Sequence, residues 1–413
     1  MTAIKNNKIL RRVLFTVLVL IVQELGKAIV LPTINIADAQ ASLRHYSFYQ
    51  FLAATTGGQF TTPTLLSIGL APYMTGMILL QAVRLLDIDA INNMPKRVES
   101  TVQRLAMLVI GFLQALQLVY FIRKEILPGK MIAGMSVNFI VSVLLLVAGT
   151  MFVCWLADMN SEYGAGGLGF MLMPSLISAT PRILMQGQGL GTPGMIFTPK
   201  LIAIIAVVCI IFVFTTVWIN KAERRLVIKR PMISSDFESS NLPIRVLAAG
   251  SMPLMFSTSV FIIPRYLVAY GAKGSTIEFV EKYFSLDNIY GVTGYCLIVL
   301  LLGSAFAFMN VQPEQIAKSL KKSGDYIAGF IPGDVTRKYI SHEVITVSFI
   351  GNVYLTVSCG LPLILGLYFD NVSNLSFLFS NVIIMVTILD NVVDQFRAMY
   401  SSQHYDLLHP TKR

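Results

Sequence analysis

The residues that could carry chemistry in this chain are few, and their spacing suits chemistry badly. Gly164-x-Gly166-x-x-Gly169 formally matches the dinucleotide fingerprint, whose glycines let backbone N–H groups approach a pyrophosphate. That use needs a strand before the motif and a βαβ unit around it. Here an uncharged apolar stretch (137–157) precedes it, so the glycines are expected to form a helix break with tight packing. No G-x-x-x-x-G-K-[ST] sequence occurs, which leaves no Walker-type route to ATP. His45, His342, His404 and His409 lack metal-ligand spacing, so neither a metal nor a cofactor is expected. Cys154, Cys209, Cys296 and Cys359 all fall in apolar stretches without C-x-x-C spacing and read as packed thiols. Glu24 and Lys27 are three residues apart on one helix face and can neutralise each other. Asp390 and Asp394 stand near the end of an apolar stretch, where water can reach them. No catalytic pair of acids and no Ser–His set lies within an apolar stretch, so an intramembrane enzyme has no machinery.

The elements around these residues are apolar spans. The chain has 413 residues, 55% hydrophobic and only 13% charged, with mean hydropathy +0.68. Soluble domains carry roughly 25% charged residues, and a soluble core cannot hide this much apolar surface. Stretches 105–122, 137–157, 201–219, 290–309 and 344–369 carry no charge. Each is long enough to cross a hydrocarbon core of about 30 Å. The fold class is therefore all-α and polytopic in a membrane.

Ten spans are expected, at about 13–31, 65–86, 105–122, 137–157, 168–184, 201–219, 246–269, 290–309, 344–369 and 377–393. The fifth is short, Met- and Gly-rich and interrupted by Pro174. The N-terminus imitates a signal peptide, with Lys5, Lys8, Arg11 and Arg12 before an apolar run. That run is too long for a signal sequence and contains Glu24 and Lys27, so it reads as a retained first span. The net charge of +10 (32 Lys+Arg, 22 Asp+Glu) sits in short loops between spans, which speaks for membrane orientation and against nucleic acid. With the N-terminus inside, inner segments hold 22 Lys+Arg and outer segments 9, which puts both termini in the cytoplasm. Ten spans divide into five and five, and five is odd, so a second half of like fold would run inverted through the bilayer. No internal repeat is visible by eye. The halves are 1–190 and 191–413.

Loops 220–245 and 310–343 are long, basic and rich in turn residues. Their length exceeds what positive-inside orientation needs and points to a docking surface for a cytosolic partner. Segment 47–64 has no charge, yet Gly57, Gly58 and Pro63 forbid one long helix there, so a re-entrant element is expected.

Several stretches resemble the SecY family of protein-conducting channels, in family order along almost the whole chain. They are ILRRVLFTVLVLIVQELGKAIVLPTIN (9–35), GLAPYMTGMILLQAVRLL (69–86), AGTMFVCWLADMNSEYGAGGLG (148–169), NLPIRVLAAGSMPLMFSTS (241–259), SLKKSGDYIAGFIPGDVTRKYI (319–340) and SSQHY (401–405). Two departures stand out: Glu24 and Ile331 occupy positions where the family has Arg. The loop from Arg224-Arg225 to Arg245 is also shorter than usual. Such drift is similar to the accessory SecY-type translocase subunits of Gram-positive bacteria, which export serine-rich glycosylated adhesins.

The resemblance implies a central channel subunit that passes unfolded polypeptide, and it assigns residues to roles. The apolar pore ring would be Leu70, Met74, Gly169, Met173, Met255 and Ile383. A re-entrant plug would cover about 53–64, and Thr75, Gln81 and Gln114 would lie at a lateral gate. Arg224, Arg225, Lys229, Arg230, Lys321, Lys322, Arg337 and Lys338 would dock a SecA-type ATPase. A SecE-like small membrane subunit would brace the bundle together with other accessory Sec proteins, and the cargo would be a secretory preprotein. An ion-coupled secondary transporter of a small solute is the alternative; it would need no motor protein.

Overall fold

The computed structural model describes residues 8–35, 38, 63–85, 95–128, 131–132, 135–186, 199–230, 239–257, 283–284, 288–368 and 374–405. The expected plug lies outside the described residues except for 63–64. The chain divides into two compact units, one of Met1–Gly189 with Ile388–Arg413 and the other of Leu190–Thr387.

The first unit holds α1 (Lys8–Ala28), α2 (Ala71–Leu85), α3 (Lys96–Phe121), α4 (Val137–Tyr163) and α5 (Gly167–Gln186). The strands β1 (Met131–Ile132) and β2 (Met135–Ser136) pair antiparallel just before α4. Ser136 caps α4, its hydroxyl accepting from the Phe139 N–H at 3.2 Å. A core of Leu31, Ile68, Leu118, Val119, Ile122 and Leu146 packs α3 and α4 against the segments that follow α1 and precede α2.

The second unit holds α6 (Pro199–Lys221), the hairpin β3 (Glu223–Lys229) and β4 (Ser239–Arg245), α7 (Ile289–Val311) and α8 (Pro313–Ser323). It continues with β5 (Tyr326–Ile327), α9 (Asp334–Gly366) and the first part of α10 (Asn374–Tyr405). Gln312, at φ 51°, breaks the chain between α7 and α8, and Gly324, at φ 76°, ends α8. The expected turn-rich loop 220–245 carries an antiparallel hairpin of two seven-residue strands, and β5 adds to it in the order β4-β3-β5. In β3, Leu226 and Ile228 are buried and Val227 between them is exposed, the period of a strand.

Among the described residues, six helices are long and apolar enough to cross a membrane. α3, α4 and α9 extend beyond their apolar spans into charged sequence, since intrahelical hydrogen bonds do not stop where apolarity does. Span 246–269 is described only to 257, as a turn (246–251) followed by a short helix (252–257).

The same local geometry occurs in both units. Before α2, the turn 65–70 carries Gly69 at φ 64°, and before the 252–257 helix the turn carries Gly250 at φ 62°. In the first unit a Cβ on Gly149 of α4 would overlap the Leu65 carbonyl. In the second a Cβ on Gly351 of α9 would overlap the Val246 carbonyl. Each glycine thus lets a long helix approach the backbone of the turn that leads into another helix. The sequence signal is short: Leu66, Gly69, Pro72 and Met74 recur at the same spacing as Leu247, Gly250, Pro253 and Met255.

Candidate functional site

The residues assigned to a pore fall on four elements. Leu70 closes the turn before α2 and Met74 sits one turn into it, its N–H donating to the Leu70 carbonyl at 3.1 Å. Both side chains are buried, as is that of Met173 on α5. Met255, in the 252–257 helix, and Ile383, on α10, are buried in the second unit. Gly169 packs closely against α10. A Cβ there would sit 3.3 Å from both Cγ1 and Cγ2 of Ile388, so the glycine accommodates α10 against the start of α5. The dinucleotide-like motif is the turn between α4 and α5. Gly166 and Gly167 adopt φ 78° and 53°, and the Gly166 N–H donates to Gln395 Oε1 at 2.6 Å.

Of the residues expected at a gate, Thr75 donates its hydroxyl to the Ala71 carbonyl of its own helix at 2.9 Å. Gln114 is half-buried on α3. The side chain of Gln81 lies outside the described residues.

α5 is held by α1 through polar contacts that spacing alone did not reveal. The Ala165 N–H donates to Thr16 Oγ1 at 2.7 Å, and Gln23 Nε2 donates to the Met171 carbonyl at 3.2 Å. Lys27 Nζ donates to Glu24 Oε1 at 2.6 Å, as expected, and also to Ser175 Oγ at 2.7 Å. Lys27 is only 6% exposed, so the ion pair and the hydroxyl replace the water that its ammonium lost. In the second unit, Ser257 Oγ donates to the buried Tyr295 hydroxyl at 3.2 Å, linking the helix of Met255 to α7.

The expected docking cations lie on a built surface, because the β-sheet joins the two basic loops. Ile228 pairs with Ile327 and Lys229 with Tyr326, and Arg230 Nε lies 3.7 Å from Asp325 Oδ2. Strand alternation divides the cluster. Arg224 points the same way as Leu226 and Ile228, and its Nη1 lies 2.9 Å from Oε2 of the buried Glu343 on α9. Arg225 and Lys229 point the other way and are exposed, with Arg225 Nε donating to Glu223 Oε1 at 2.7 Å. On the second loop, Lys321, Lys322 and Lys338 are exposed, while Arg337 Nη1 is 3.6 Å from Glu314 Oε1. Arg224 therefore serves the packing of the hairpin, which its position in a basic run did not disclose. Among the described residues no group of His, Cys, Asp or Glu could hold a metal ion.

A family model described as SecY matches residues 64–393. The chain belongs to the SecY family. A relative from Leuconostoc gelidum subsp. gasicomitatum, described as accessory Sec system protein translocase subunit SecY2, is 29% identical over 413 residues and covers 97% of each chain. One of the same description from Streptococcus gordonii is 31% identical over 364 residues, 86% of this chain and 87% of the relative. A solved structure described as that of a protein conducting channel superposes with a TM-score of 0.60 at 16% identity, covering 97% of this chain and 95% of that one. The fold is thus the SecY fold. The protein is a multi-pass membrane protein of a channel family, and it is not an enzyme.

Proposed function

We propose that this protein is the central channel subunit of an accessory Sec-type translocase. It passes unfolded preproteins, among them serine-rich glycosylated ones, across the plasma membrane. The family match over residues 64–393 is the observation that carries this reading, and the SecY2 relatives support the accessory assignment.

In this reading, residues 1–190 and 191–413 are inverted halves of five spans each, with both termini cytoplasmic. The recurrent Gly–Pro–Met spacing at 69–74 and 250–255 supports that arrangement. Leu70, Met74, Gly169, Met173, Met255 and Ile383 line a constriction that dewets when empty, and the flexible Met side chains seal around varied cargo. Residues 53–64 plug it. Thr75, Gln81 and Gln114 contribute to a lateral gate between spans two and three on one side and seven and eight on the other. A channel supplies a path and no work, so a SecA-type ATPase docks on loops 220–245 and 310–343, and a SecE-like subunit braces the helices. An ion-coupled carrier needs a charge free to bind its ion in the membrane. The pairing of Lys27 with Glu24 and Ser175 leaves that residue committed to structure.

The test is reconstitution of the purified protein with its small membrane partner in liposomes. ATP and the SecA-type ATPase should move a precursor into a protease-protected state, and a precursor lacking its signal sequence should stay outside. Uptake of a small solute without the ATPase, with no protection of precursor, would overturn the reading.

A further inference from the structure

α5 has a weak point, and α1 grips it on both sides. Pro174 stands inside the helix and has no N–H to offer the Phe170 carbonyl, so this stretch lacks one of the bonds that keep a helix straight. Met173 lies within the stretch. Gln23 Nε2 donates to the Met171 carbonyl at 3.2 Å, and Lys27 Nζ donates to Ser175 Oγ at 2.7 Å. The two contacts thus fall just before and just after Pro174. Met171 and Ser175 are four residues apart and share a face of α5, while Met173 between them lies on the opposite face. On α1, Thr16, Gln23 and Lys27 follow at i, i+7 and i+11 and form one face, with Thr16 Oγ1 accepting from the Ala165 N–H. α1 is itself anchored where it ends. The Leu65 N–H donates to the Ile29 carbonyl at 2.9 Å and the Leu31 N–H to the Pro63 carbonyl at 3.1 Å. A Cβ on Gly26 would overlap the Leu66 side chain, so α1 also lies tight against the turn that leads to Leu70 and Met74.

Gln23 serves packing badly. It is 1% exposed, and its Oε1 has no hydrogen-bond partner among the described residues. A buried acceptor without a donor costs stability, and an apolar side chain of similar shape would avoid that cost. What the amide adds is direction, because its N–H fixes one backbone atom of α5 where an apolar contact would let the helix slide. Lys27 is already committed by its ion pair with Glu24. The bond from Gln23 has no such second purpose. We infer that Gln23 is a positioning residue of the constriction. Through the Met171 carbonyl it holds the stretch weakened by Pro174, and with it Met173, in the place that seals the idle channel. This deepens the channel reading proposed above and rests on it.

The experiment compares the full-length channel, reconstituted with its small membrane partner, with its Gln23→Leu and Gln23→Met variants. Both lose the donor and the orphaned oxygen, so both should melt at or above the temperature of the parent. Ion leakage of the idle channel in a planar bilayer should rise about threefold, the factor that corresponds to one interhelical hydrogen bond of ordinary strength. On a Met173→Cys background, a membrane-impermeant thiol reagent should label position 173 faster once Gln23→Leu is added, with the protein lacking Met173→Cys as the blank. Leakage and labelling equal to those of the parent would overturn the positioning role. Raised leakage with a lowered melting temperature in both variants would mean general loosening of the fold and would overturn it too. The channel reading is tested separately, by cross-linking Met173→Cys to a cysteine in a precursor arrested in transit. Absence of that cross-link would take Met173 out of the cargo's path and remove the proposal with it. A cross-link combined with parental leakage would leave the constriction standing and strike out Gln23 alone.

Discussion

The guanidinium of Arg224 on β3 meets the buried carboxylate of Glu343 on α9, with Nη1 and Oε2 2.9 Å apart. The contact joins the first basic loop to a helix of the second. It also commits one member of the densest cationic run to the interior face of the sheet. Arg224 remains 52% exposed, so solvent screens part of the attraction, but Glu343 at 9% has little water to fall back on.

Reversal of Arg224 should therefore act on stability and reversal of Arg225 on function. Arg224→Glu sets two carboxylates against each other and is expected to cost about 1–3 kcal/mol, lowering the melting temperature of the purified protein. Adding Glu343→Arg should restore part of the loss. Arg225→Glu should melt like the parent and export less. Equal melting temperatures for Arg224→Glu and the parent would show the pair to be idle.

Lys27 and Glu24 should behave as one unit. Lys27→Met leaves the Glu24 carboxylate in an apolar span without its counter-ion and should reduce the yield of folded protein sharply. Lys27→Met with Glu24→Gln should recover most of it. Ser175→Ala removes only one hydrogen bond and should cost about 0.6 kcal/mol. Thermal unfolding in detergent compares the four proteins, and a double variant worse than the single would refute the coupling.

Gly169→Ala sets two effects against each other. Alanine favours the helix by about 1 kcal/mol over glycine. Its Cβ, however, would stand 3.3 Å from two branches of Ile388, a contact made by stiff β-branched atoms, and overpacking costs about 1–3 kcal/mol. The net expectation is modest destabilisation, relieved by Ile388→Ala. In export assays, a block by Gly169→Ile that Ile388→Ala relieves would be a packing effect. A block confined to glycosylated cargo, and kept in the double variant, would make position 169 a determinant of pore width.

Tyr295→Phe and Ser257→Ala each remove the same hydrogen bond between the Met255 helix and α7. Each should raise ion leakage of the idle channel in a planar bilayer by a small factor, at a cost of about 0.6 kcal/mol. The double variant should leak no more than either single one. Additive leakage would mean that the two hydroxyls act separately.

Much of this protein was legible in its sequence because a bilayer is a severe solvent. Backbone groups cannot go unpaired in hydrocarbon, so uncharged stretches such as 137–157 and 201–219 had to be helices. Lys27 needed a counter-charge, and Glu24 stood three residues away. The SecY resemblance was equally open, since its motifs span nearly the whole chain. What sequence could not show was which side chains meet across distant segments. The alternation of ERRLVIK is a strand signal, but only the pairing of β3 with β4 and β5 turned Arg224 inward and Arg225 outward. Gly169 packs against Ile388, more than two hundred residues away, and Lys27 likewise meets Ser175 on a distant helix. Ile331 looked like a lost charge. Only the contacts of Thr336, Phe330 and Tyr339 reveal that its backbone is held firmly while its side chain is left in the open. Local pattern reports periodicity and solvent preference, which each short segment carries by itself. Contact between remote residues depends on how the helices pack, and that is settled only when the whole chain is folded.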